Sequence, residues 1–307
     1  IGNYAITNHN KLQVEYTGTD GGYIEMNNLR QGVLYSNPEA TAVLKDVHAV
    51  NMGLDALKSA GGTITVENCV LDTTEGHGIY MSDGEMTVKN VTFTNNAKCG
   101  AYILTPSVLT LEHVTISKPG TRGVMNLGGT VKGTDVTVTD PRGYGVSNER
   151  SKTGVAGTVE YTNLTINGCQ KNNVYSTGEG CKTYITGGVL GESALTNVYL
   201  SGGEVTLTDV EILGSAAADK PAINVRAKAV CTLNGSSRIH GNGERGVNIS
   251  GVFNMEGGEI YGYKSDKGSG GAVRLFTGGT FHMSGGSIHD NRSGYGGAVY
   301  VKTSAVF

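Results

Sequence analysis

Short runs in which apolar and polar residues alternate recur along the whole chain. Residues 63–66 read Thr-Ile-Thr-Val, residues 86–88 read Met-Thr-Val, and residues 114–116 read Val-Thr-Ile. An apolar period of about two residues, built from β-branched side chains with Thr between them, is typical of half-buried strands. No window shows the period of an amphipathic helix of useful length. The pattern therefore predicts an all-β chain of short strands.

These strands belong to a repeat whose units start with a small residue or Asn followed by an apolar residue. The starts are Gly32-Val33, Gly53-Leu54, Gly78-Ile79, Gly100-Ala101, Gly123-Val124, Gly145-Val146, Asn173-Val174, Asn197-Val198, Ala222-Ile223, Gly246-Val247, Gly271-Ala272 and Gly297-Ala298. The eleven intervals between residues 32 and 297 average about 24 residues (265/11). Three short strands with their turns fill such a unit, and each unit must bury its apolar face against its neighbours. The repeat therefore predicts a solenoid.

One turn within the repeat keeps the same kind of residue. Asn, Asp or His stands just before the third strand of six units, at Asn68, Asn90, His113, Asp135, Asn163 and Asp209. In later units the pairs Gly257-Gly258 and Gly285-Gly286 take this place. Asn and Asp tolerate the left-handed backbone conformation that a sharp corner needs, and Gly adopts it without steric cost. One such corner per coil predicts strands that stack in register into three parallel sheets.

At these positions the chain resembles the right-handed parallel β-helix proteins. Its later units resemble more narrowly the GGA[IV] and FxxN repeats of polymorphic outer-membrane proteins and similar bacterial surface proteins. The matching segments are Phe93-Thr94-Asn95-Asn96, Ile239-His240-Gly241-Asn242, Ile288-His289-Asp290-Asn291, Gly270-Gly271-Ala272-Val273 and Gly296-Gly297-Ala298-Val299. The resemblance implies a single-stranded β-helix of about 12 coils over residues 32–307, preceded by a poorly matching coil or cap at residues 1–31. It also implies a secreted or cell-surface bacterial protein.

Composition excludes several classes of function. A net charge of −3 and a pI near 6.2 offer no whole-chain attraction for nucleic acid, and no apolar run of about 18 residues predicts a membrane-inserted helix. The five cysteines lack CxxC spacing and are expected to be small buried side chains. No metal-ligand or cofactor-binding motif occurs, so neither a metal nor a cofactor is predicted. The chain starts without Met and its last unit begins at Gly297, so we expect further coils or a cap in the intact protein.

Basic residues recur at the edge that precedes each unit start. They are His77, Lys98, Arg122, Arg142, Lys171, Lys220, Arg245, Lys267 and Arg292, and acidic residues accompany many of them. A ladder of this kind favours an extended, partly anionic partner such as a glycan, with Arg122, Arg142, Arg245, Lys267 and Arg292 as candidate ligand-binding residues. The alternative is a solvated turn whose mixed charges keep the solenoid soluble.

Tyrosine is the dominant aromatic residue and has a regular place in the repeat. Tyr80, Tyr102, Tyr175, Tyr199 and Tyr300 follow a unit start by two or three residues and so recur on one face. Exposed tyrosines in such a row suit the stacking of sugars, which makes Tyr80, Tyr102 and Tyr199 candidate binding residues. Stacks of aromatic rings on one another fit the same spacing.

A catalytic site has weaker support. The segment Glu75-Gly76-His77-Gly78-Ile79 resembles the Gly-His-Gly of polygalacturonase-type glycoside hydrolases, but the Asp cluster of that family is missing. Glycosidic hydrolysis needs two carboxyls about 5 or 6.5–9.5 Å apart, and stacked coils lie about 4.8 Å apart. Asp266 and Asp290 are one mean period apart in sequence, which makes them candidate neighbours; solvated turns beside Lys267 and Arg292 are the alternative. Asp83 and His77 complete the candidate catalytic residues.

Three functions remain open from the sequence. The first is an adhesin-like surface module that binds a host or environmental glycan or a host surface protein. The second is a carbohydrate-active enzyme, a glycoside hydrolase or polysaccharide lyase, with a groove along one sheet. The third is a structural spacer without a ligand. The regular coil and the missing catalytic cluster favour the first.

Overall fold

The protein is an all-β, right-handed parallel solenoid of about 12 coils, as the sequence predicts. The structure, a computed structural model, describes residues 4–8, 13–17, 22–241 and 243–307, with side chains for all of these except 13–17 and 266–269. No helix occurs in these ranges. The chain divides into two compact units, residues 1–160 and residues 161–307.

Unit 1 consists of strands that wind through the coils in sequence order. They are β1 (Ile6–Asn8), β2 (Gln13–Thr17), β3 (Ile24–Leu29), β4 (Leu34–Ser36), β5 (Thr41–Lys45), β6 (Val47–Met52), β7 (Leu57–Glu67), β8 (Val70–Thr74), β9 (Ile79–Asn96), β10 (Ala101–Leu104), β11 (Val108–Ser117), β12 (Val124–Leu127), β13 (Thr130–Thr139) and β14 (Val146–Glu149). The pairings among these strands are parallel, for example β4 with β7 and β10 with β12.

The strands of unit 1 form three faces. The first face comprises β1, β4, the starts of β7 and β9, β10, β12 and β14. The second comprises β2, β5, the later part of β7, the middle of β9 and the starts of β11 and β13. The third comprises β3, β6, β8 and the ends of β9, β11 and β13. Residues 6–29 thus supply a strand to every face, while the domain boundary at residues 31/32 stays a prediction.

The core of unit 1 lies inside the coils and is built from in-register columns. One column of the first face is fully buried and consists of Leu57, Ile79, Ala101, Val124 and Val146. Phe93 on the third face is also fully buried. Because alternate residues of a strand point to opposite faces, the Thr residues between these apolar side chains lie on the outer surface. Burial of each large side chain contributes roughly 1.5–3 kcal/mol to folding.

The corners confirm the sequence prediction and reveal a second set. All six predicted corner residues have φ between 53° and 57°, and Gly258 and Gly286 both have φ 82°. Unit 1 has another left-handed corner five residues further on, after the third face. It is formed by Asn51, Thr73, Asn95, Lys118 and Asp140, with φ between 51° and 60°. The sequence signal for it was the constant spacing of five residues from the first corner.

Unit 2 is also built from short strands in coils. Its strands are β15 (Thr158–Asn167, which starts in the last residues of unit 1), β16 (Val174–Thr177), β17 (Lys182–Leu190), β18 (Val198–Leu200), β19 (Gly203–Thr208), β20 (Glu211–Leu213), β21 (Pro221–Val225), β22 (Ala229–Asn234), β23 (Arg238–His240), β24 (Arg245–Ile249), β25 (Val252–Met255), β26 (Glu259–Tyr261), β27 (Lys264–Ser269), β28 (Val273–Leu275), β29 (Thr280–Met283), β30 (Ser287–His289), β31 (Arg292–Tyr295) and β32 (Val299–Val301). Strands β27 and β31 form a separate two-stranded parallel sheet.

The faces of unit 2 repeat those of unit 1. The first face comprises β16, β18, β21, β24, β28 and β32. The second comprises the start of β17, β19, β22, β25 and β29, and the third the end of β17, β20, β23, β26 and β30. All five cysteines of the chain are free thiols and buried, as expected for small core side chains.

Candidate functional site

The first face of unit 1 carries a row of long polar and aromatic side chains on its outer side. Strand register places Tyr35, Lys58, Tyr80, Tyr102 and Met125 at the same position of five successive coils. Their neighbours in each strand are the buried column of the core, so the row points the other way. Equivalent positions in neighbouring strands are about 4.8 Å apart, and the row therefore repeats a side chain at that interval.

The rings of this row stack on one another. The Tyr80 and Tyr102 rings have centroids 5.6 Å apart and planes inclined by 10°. The Lys58 ammonium lies between two rings, 5.7 Å from the centroid of Tyr35 and 5.5 Å from that of Tyr80. Such contacts cover ring faces, so solvent meets ring edges and phenol groups. Of the two sequence interpretations, stacked rings rather than open stacking platforms describe Tyr80 and Tyr102.

His77 lies beside this row and is held by hydrogen bonds to the two neighbouring coils. Its ring centroid is 4.9 Å from that of Tyr102 and 5.9 Å from that of Tyr80. The Cys99 backbone N–H donates to His77 Nδ1 at 3.2 Å. The His77 backbone N–H in turn donates to Asp55 Oδ1 at 2.8 Å. Asp55 and His77 occupy the same position of adjacent coils, just before the first face.

These contacts determine the chemical state of the His77 ring. Since a backbone N–H only donates, Nδ1 must accept, and the neutral ring carries its proton on Nε2. Burial lowers the pKa of His77 to about 4; Lys98 acts in the same direction and Asp55 opposes it. At neutral pH His77 is therefore a neutral donor through Nε2. Neither ring nitrogen has a lone pair available for general-base catalysis.

Arg122 and Glu149 form an ion pair at the next coils of the same face. Arg122 Nη1 lies 2.7 Å from Glu149 Oε1, and both side chains are about 20% exposed (20% and 19%). The Arg122 guanidinium also lies 5.0 Å from the centroid of the Tyr144 ring. The sequence predicted a ligand-binding Arg122, and the structure shows its charge already matched by Glu149.

Two other candidates of unit 1 lie elsewhere. Asp83 is exposed at the bend between the first and second faces, where its Oδ1 accepts the Gly84 N–H at 2.6 Å. Arg142 is exposed before the start of β14, and its backbone N–H donates to the Pro119 carbonyl. The structure thus brings together His77, Tyr80 and Tyr102 but not Asp83.

In unit 2 the predicted residues are spread over several positions. Tyr199 stacks on Tyr175 with centroids 5.7 Å apart and planes inclined by 9°. Arg292 is exposed at the start of β31. The side chains of Asp266 and Lys267 lie outside the described residues.

The predicted neighbourhood of Asp266 and Asp290 does not match the strand register. Ser265 pairs with Ser293, so the local offset between coils is 28 residues rather than 24. Asp266 is therefore displaced along the strand from Asp290. Asp290 itself is a corner residue with φ 53°, and its Oδ2 lies 2.8 Å from His289 Nδ1.

Sequence reasoning missed two groups in unit 2. One is a stack on the third face, in which the Tyr261 ring lies 5.0 Å from His240 and 5.1 Å from His289, with planes inclined by 7° in both pairs. Its signal was Ile followed by His or Tyr in three successive coils, at residues 239–240, 260–261 and 288–289. The other group surrounds Arg274 on the first face, between Asn248 and Tyr300 in the register.

Among the described residues, neither a metal site nor a membrane-spanning helix is found. Within the part of the chain that the structure describes, no group of three or more His, Cys, Asp or Glu side chains could hold a metal ion. The same residues include no helix with the length and apolar character required to cross a bilayer.

The comparisons with known proteins agree with the fold. A profile described as "Right handed beta helix region" matches residues 31–190. A search of curated proteins found no match. Among solved structures, the A-module of the Azotobacter vinelandii mannuronan C-5 epimerase AlgE6 superposes with a TM-score of 0.55 at 12% identity, covering 96% of this chain and 90% of that one. The A-module of the mannuronan C-5 epimerase AlgE4 from the same organism superposes with a TM-score of 0.51 at 10% identity, covering 94% of this chain and 91% of that one.

Proposed function

Because the chain belongs to the right-handed β-helix family, whose coils repeat side chains at a fixed interval, we propose that unit 1 binds an extended polysaccharide. The binding surface is the row formed by Tyr35, Lys58, Tyr80 and Tyr102, with His77 beside it. The observation that carries the proposal is the repetition of hydrogen-bonding groups along this row at about 4.8 Å.

The chemistry of the row suits sugar hydroxyls. Phenol groups donate and accept hydrogen bonds, Lys58 donates from its ammonium, and neutral His77 donates from Nε2. Burial raises the pKa of Tyr102, so its hydroxyl stays protonated at neutral pH. The stacked rings hold these groups in fixed orientations, which reduces the ordering cost that weakens binding to mobile side chains.

The polymer is a better fit than a small sugar. In the described part of unit 1, the row runs along the stacking direction of the coils over four successive positions. A single sugar unit contacts one or two of these positions, while a chain engages all of them. Each added contact then benefits from the previous one, as in multivalent binding.

A carbohydrate-active enzyme is the second candidate. The observation that favours it is the contact group of Asp55, His77 and Tyr102, three titratable side chains on adjacent coils. The two similar A-modules are named as mannuronan C-5 epimerases, but at 10–12% identity that likeness concerns the fold. The neutral, Nε2-protonated state of His77 supports a binding role over proton abstraction. Hydrolase and lyase chemistry therefore rank below binding.

An exported location is part of the proposal, because extended polysaccharides are met mainly outside the cytoplasm. Display at the cell surface and an adhesin-like role, which the GGA[IV] and FxxN resemblance implies, remain finer predictions. A spacer without any ligand is the competing outcome.

The test is a binding screen of the purified chain against neutral and acidic polysaccharides, followed by titration calorimetry on each hit. The double variant Tyr80→Phe/Tyr102→Phe keeps both rings and removes both hydroxyls. We expect about tenfold weaker binding, since each lost hydrogen bond contributes roughly 0.5–1.5 kcal/mol. Tyr184→Phe, on the second face of unit 2, is the matched control and should bind normally.

Product analysis separates the two candidate functions. Mass spectrometry of each bound polysaccharide detects cleavage, and proton NMR detects a change of sugar configuration. Binding without either change supports the proposal, while turnover that His77→Gln abolishes would favour the enzyme. Undiminished affinity of the double Phe variant, or no binding to any polysaccharide, would overturn the proposed row.

A further inference from the structure

Two cationic side chains of unit 2 lie against one aromatic ring, and a third acts electrostatically on one of them. The guanidinium carbon of Arg274 lies 4.8 Å from the centroid of the Phe276 ring, and the Lys302 ammonium lies 4.9 Å from the same ring. Arg245 is near enough to Arg274 to act on it electrostatically. We call Arg245, Arg274 and Lys302 the cationic cluster. Like charges held at short range repel one another, so an anion placed among them stabilises the cluster.

Arg274 has no acceptor within the described part of the chain. No hydrogen bond and no ion pair joins its guanidinium to another described residue, and its Nε is buried from solvent. Burial lowers the pKa of Arg274, and the charge of Arg245 lowers it further. A guanidinium has five N–H donors in a planar fork, and a half-buried one normally finds a carboxylate or carbonyl. The two Nη groups of Arg274, which are not among its buried atoms, are therefore available to a ligand.

The remaining members of the cluster are only weakly neutralised. Arg245 Nη2 is 3.8 Å from Glu244 Oε2, and its Nη1 donates to the Asp219 carbonyl at 3.4 Å. The Asp219 carboxylate is occupied by Lys220 at 2.6 Å. Lys302 forms no ion pair with a described residue. Both carboxylates near the cluster, those of Glu244 and Asp219, lie on the side of Arg245, and neither forms an ion pair with Arg274 or Lys302 among the described residues.

The surroundings of the cluster show what kind of anion it fits. Strand register aligns Asn224, Asn248, Arg274 and Tyr300 on four successive coils. The Oδ1 atom of Asn248 is buried and accepts no hydrogen bond from the described residues. The Asn248 amide can therefore meet a ligand through its Nδ2 donor, the Tyr300 phenol can donate or accept, and the guanidinium fork matches a carboxylate.

We propose that Arg245 and Arg274 form a subsite for the carboxylate of a uronate in an acidic polysaccharide. Arg274 grips the carboxylate through its N–H groups, Arg245 and Lys302 supply further positive charge, and the Asn row contacts the hydroxyls of neighbouring sugars. This subsite lies in unit 2 and is independent of the tyrosine row of unit 1.

The test compares polygalacturonate with its fully methyl-esterified form, which has the same backbone without the charge, and with a sulfated polysaccharide. Affinities are measured by calorimetry at two salt concentrations. We expect Arg274→Gln to weaken polygalacturonate binding about tenfold or more, because hydrogen bonds to charged groups are the strong ones. The salt dependence should fall as well. Binding of the methyl ester should be unchanged.

Two variants serve as controls for Arg274→Gln. Arg274→Lys keeps the charge without the planar fork and should bind polygalacturonate with intermediate affinity. Arg238→Gln removes an exposed arginine of the third face of unit 2 and should bind like the parent. Circular dichroism verifies that each variant is folded, and Arg245→Gln provides a second route if Arg274→Gln is not.

The outcomes distinguish this subsite from the tyrosine row. Loss of polygalacturonate binding in Arg274→Gln but not in Arg238→Gln supports the subsite, even if the double Phe variant of unit 1 binds normally. Equal affinity of the parent for polygalacturonate and its methyl ester would overturn it. Preference for the sulfated polymer, lost in Arg274→Gln, would show an unselective oxyanion site and refute the uronate assignment.

Discussion

Thr73 occupies a corner at which its residue type is unfavourable. Its φ is 55°, in the left-handed region, where a β-branched side chain is an outlier. The equivalent corners of the two flanking coils carry Asn51 and Asn95, with φ 60° and 53°. Replacing Thr73 with Asn gives this coil the residue type of its neighbours without changing the backbone. We expect the variant to be more stable than the parent.

The magnitude follows from the contacts of the corner. The left-handed conformation costs an L-residue roughly 1–2 kcal/mol, and Asn recovers much of this through local hydrogen bonds. Thr73→Asn loses the bond from Thr73 Oγ1 to Asp72 Oδ1 at 3.2 Å, which contributes about 0.5 kcal/mol at a half-exposed position. The net gain is about 1 kcal/mol. The reverse change Asn95→Thr also loses the bond from Asn95 Nδ2 to Asp72 Oδ1 at 2.9 Å and should cost about 2 kcal/mol.

Urea denaturation followed by far-UV circular dichroism measures both changes. Thr94→Asn is the matched control, because Thr94 lies in β9 outside the left-handed region and Asn disfavours a strand. We expect the highest urea midpoint for Thr73→Asn, followed by the parent, and lower midpoints for Thr94→Asn and Asn95→Thr. If Thr73→Asn were no more stable than the parent while Asn95→Thr were neutral, left-handed strain at this corner would not govern stability, and the reasoning would be wrong.

Three further predictions concern unit 1. The free energy of unfolding should fall as the pH drops from 6.5 to about 4, because His77 takes up a proton in the unfolded chain in this range and stays neutral in the folded protein. In a plot of urea midpoint against pH, His77→Gln should flatten this part of the curve. An unchanged slope in the variant would contradict the prediction. Phe93→Ala should lower the free energy of unfolding by about 3–5 kcal/mol, because it leaves a cavity in the core. In the same urea denaturation, Thr92→Ala on the outer side should lower it by less than about 0.5 kcal/mol. Glu149→Gln removes the ion-pair partner of Arg122, whose side chain is about 20% exposed, and should lower the free energy of unfolding by about 1–3 kcal/mol at low salt. The double variant Arg122→Met/Glu149→Gln removes both charges and should lose less. An equal loss in the double variant would show that the ion pair is not the cause.

The corners were predictable because their chemistry is local. Asn68, Asn90 and His113 each adopt the left-handed conformation at the residue that the repeat indicates. The second corner was overlooked because Thr73 and Lys118 break the run of Asn and Asp. Its constant distance from the first corner was nevertheless present in the sequence. Local backbone preference and repeat spacing thus suffice for the fold.

The candidate sites depended on contacts that a mean period cannot supply. Asp266 and Asp290 are one average repeat apart, but the coil between them is longer, and Lys264 pairs with Arg292. The ring state of His77 depends on a backbone N–H donated from the next coil. Arg274 was missed because the sequence of its strand does not show whether an arginine side chain has an ion-pair partner in another coil. Loop lengths and side-chain reach decide these points.

The even spacing of the first face has a consequence for how the gene can change. Leu57, Ile79 and Ala101 are 22 residues apart and stand directly over one another. Loss of codons 79–100 would join Gly78 to Ala101, which is the same junction as Gly100 to Ala101, and every later inward residue would stay inward. Loss of one codon within β10 would instead turn its inward residues outward. Deletion or duplication of one whole coil of unit 1 would therefore preserve the pattern of inward and outward side chains, and the unit tolerates a change of length in steps of one turn of the solenoid.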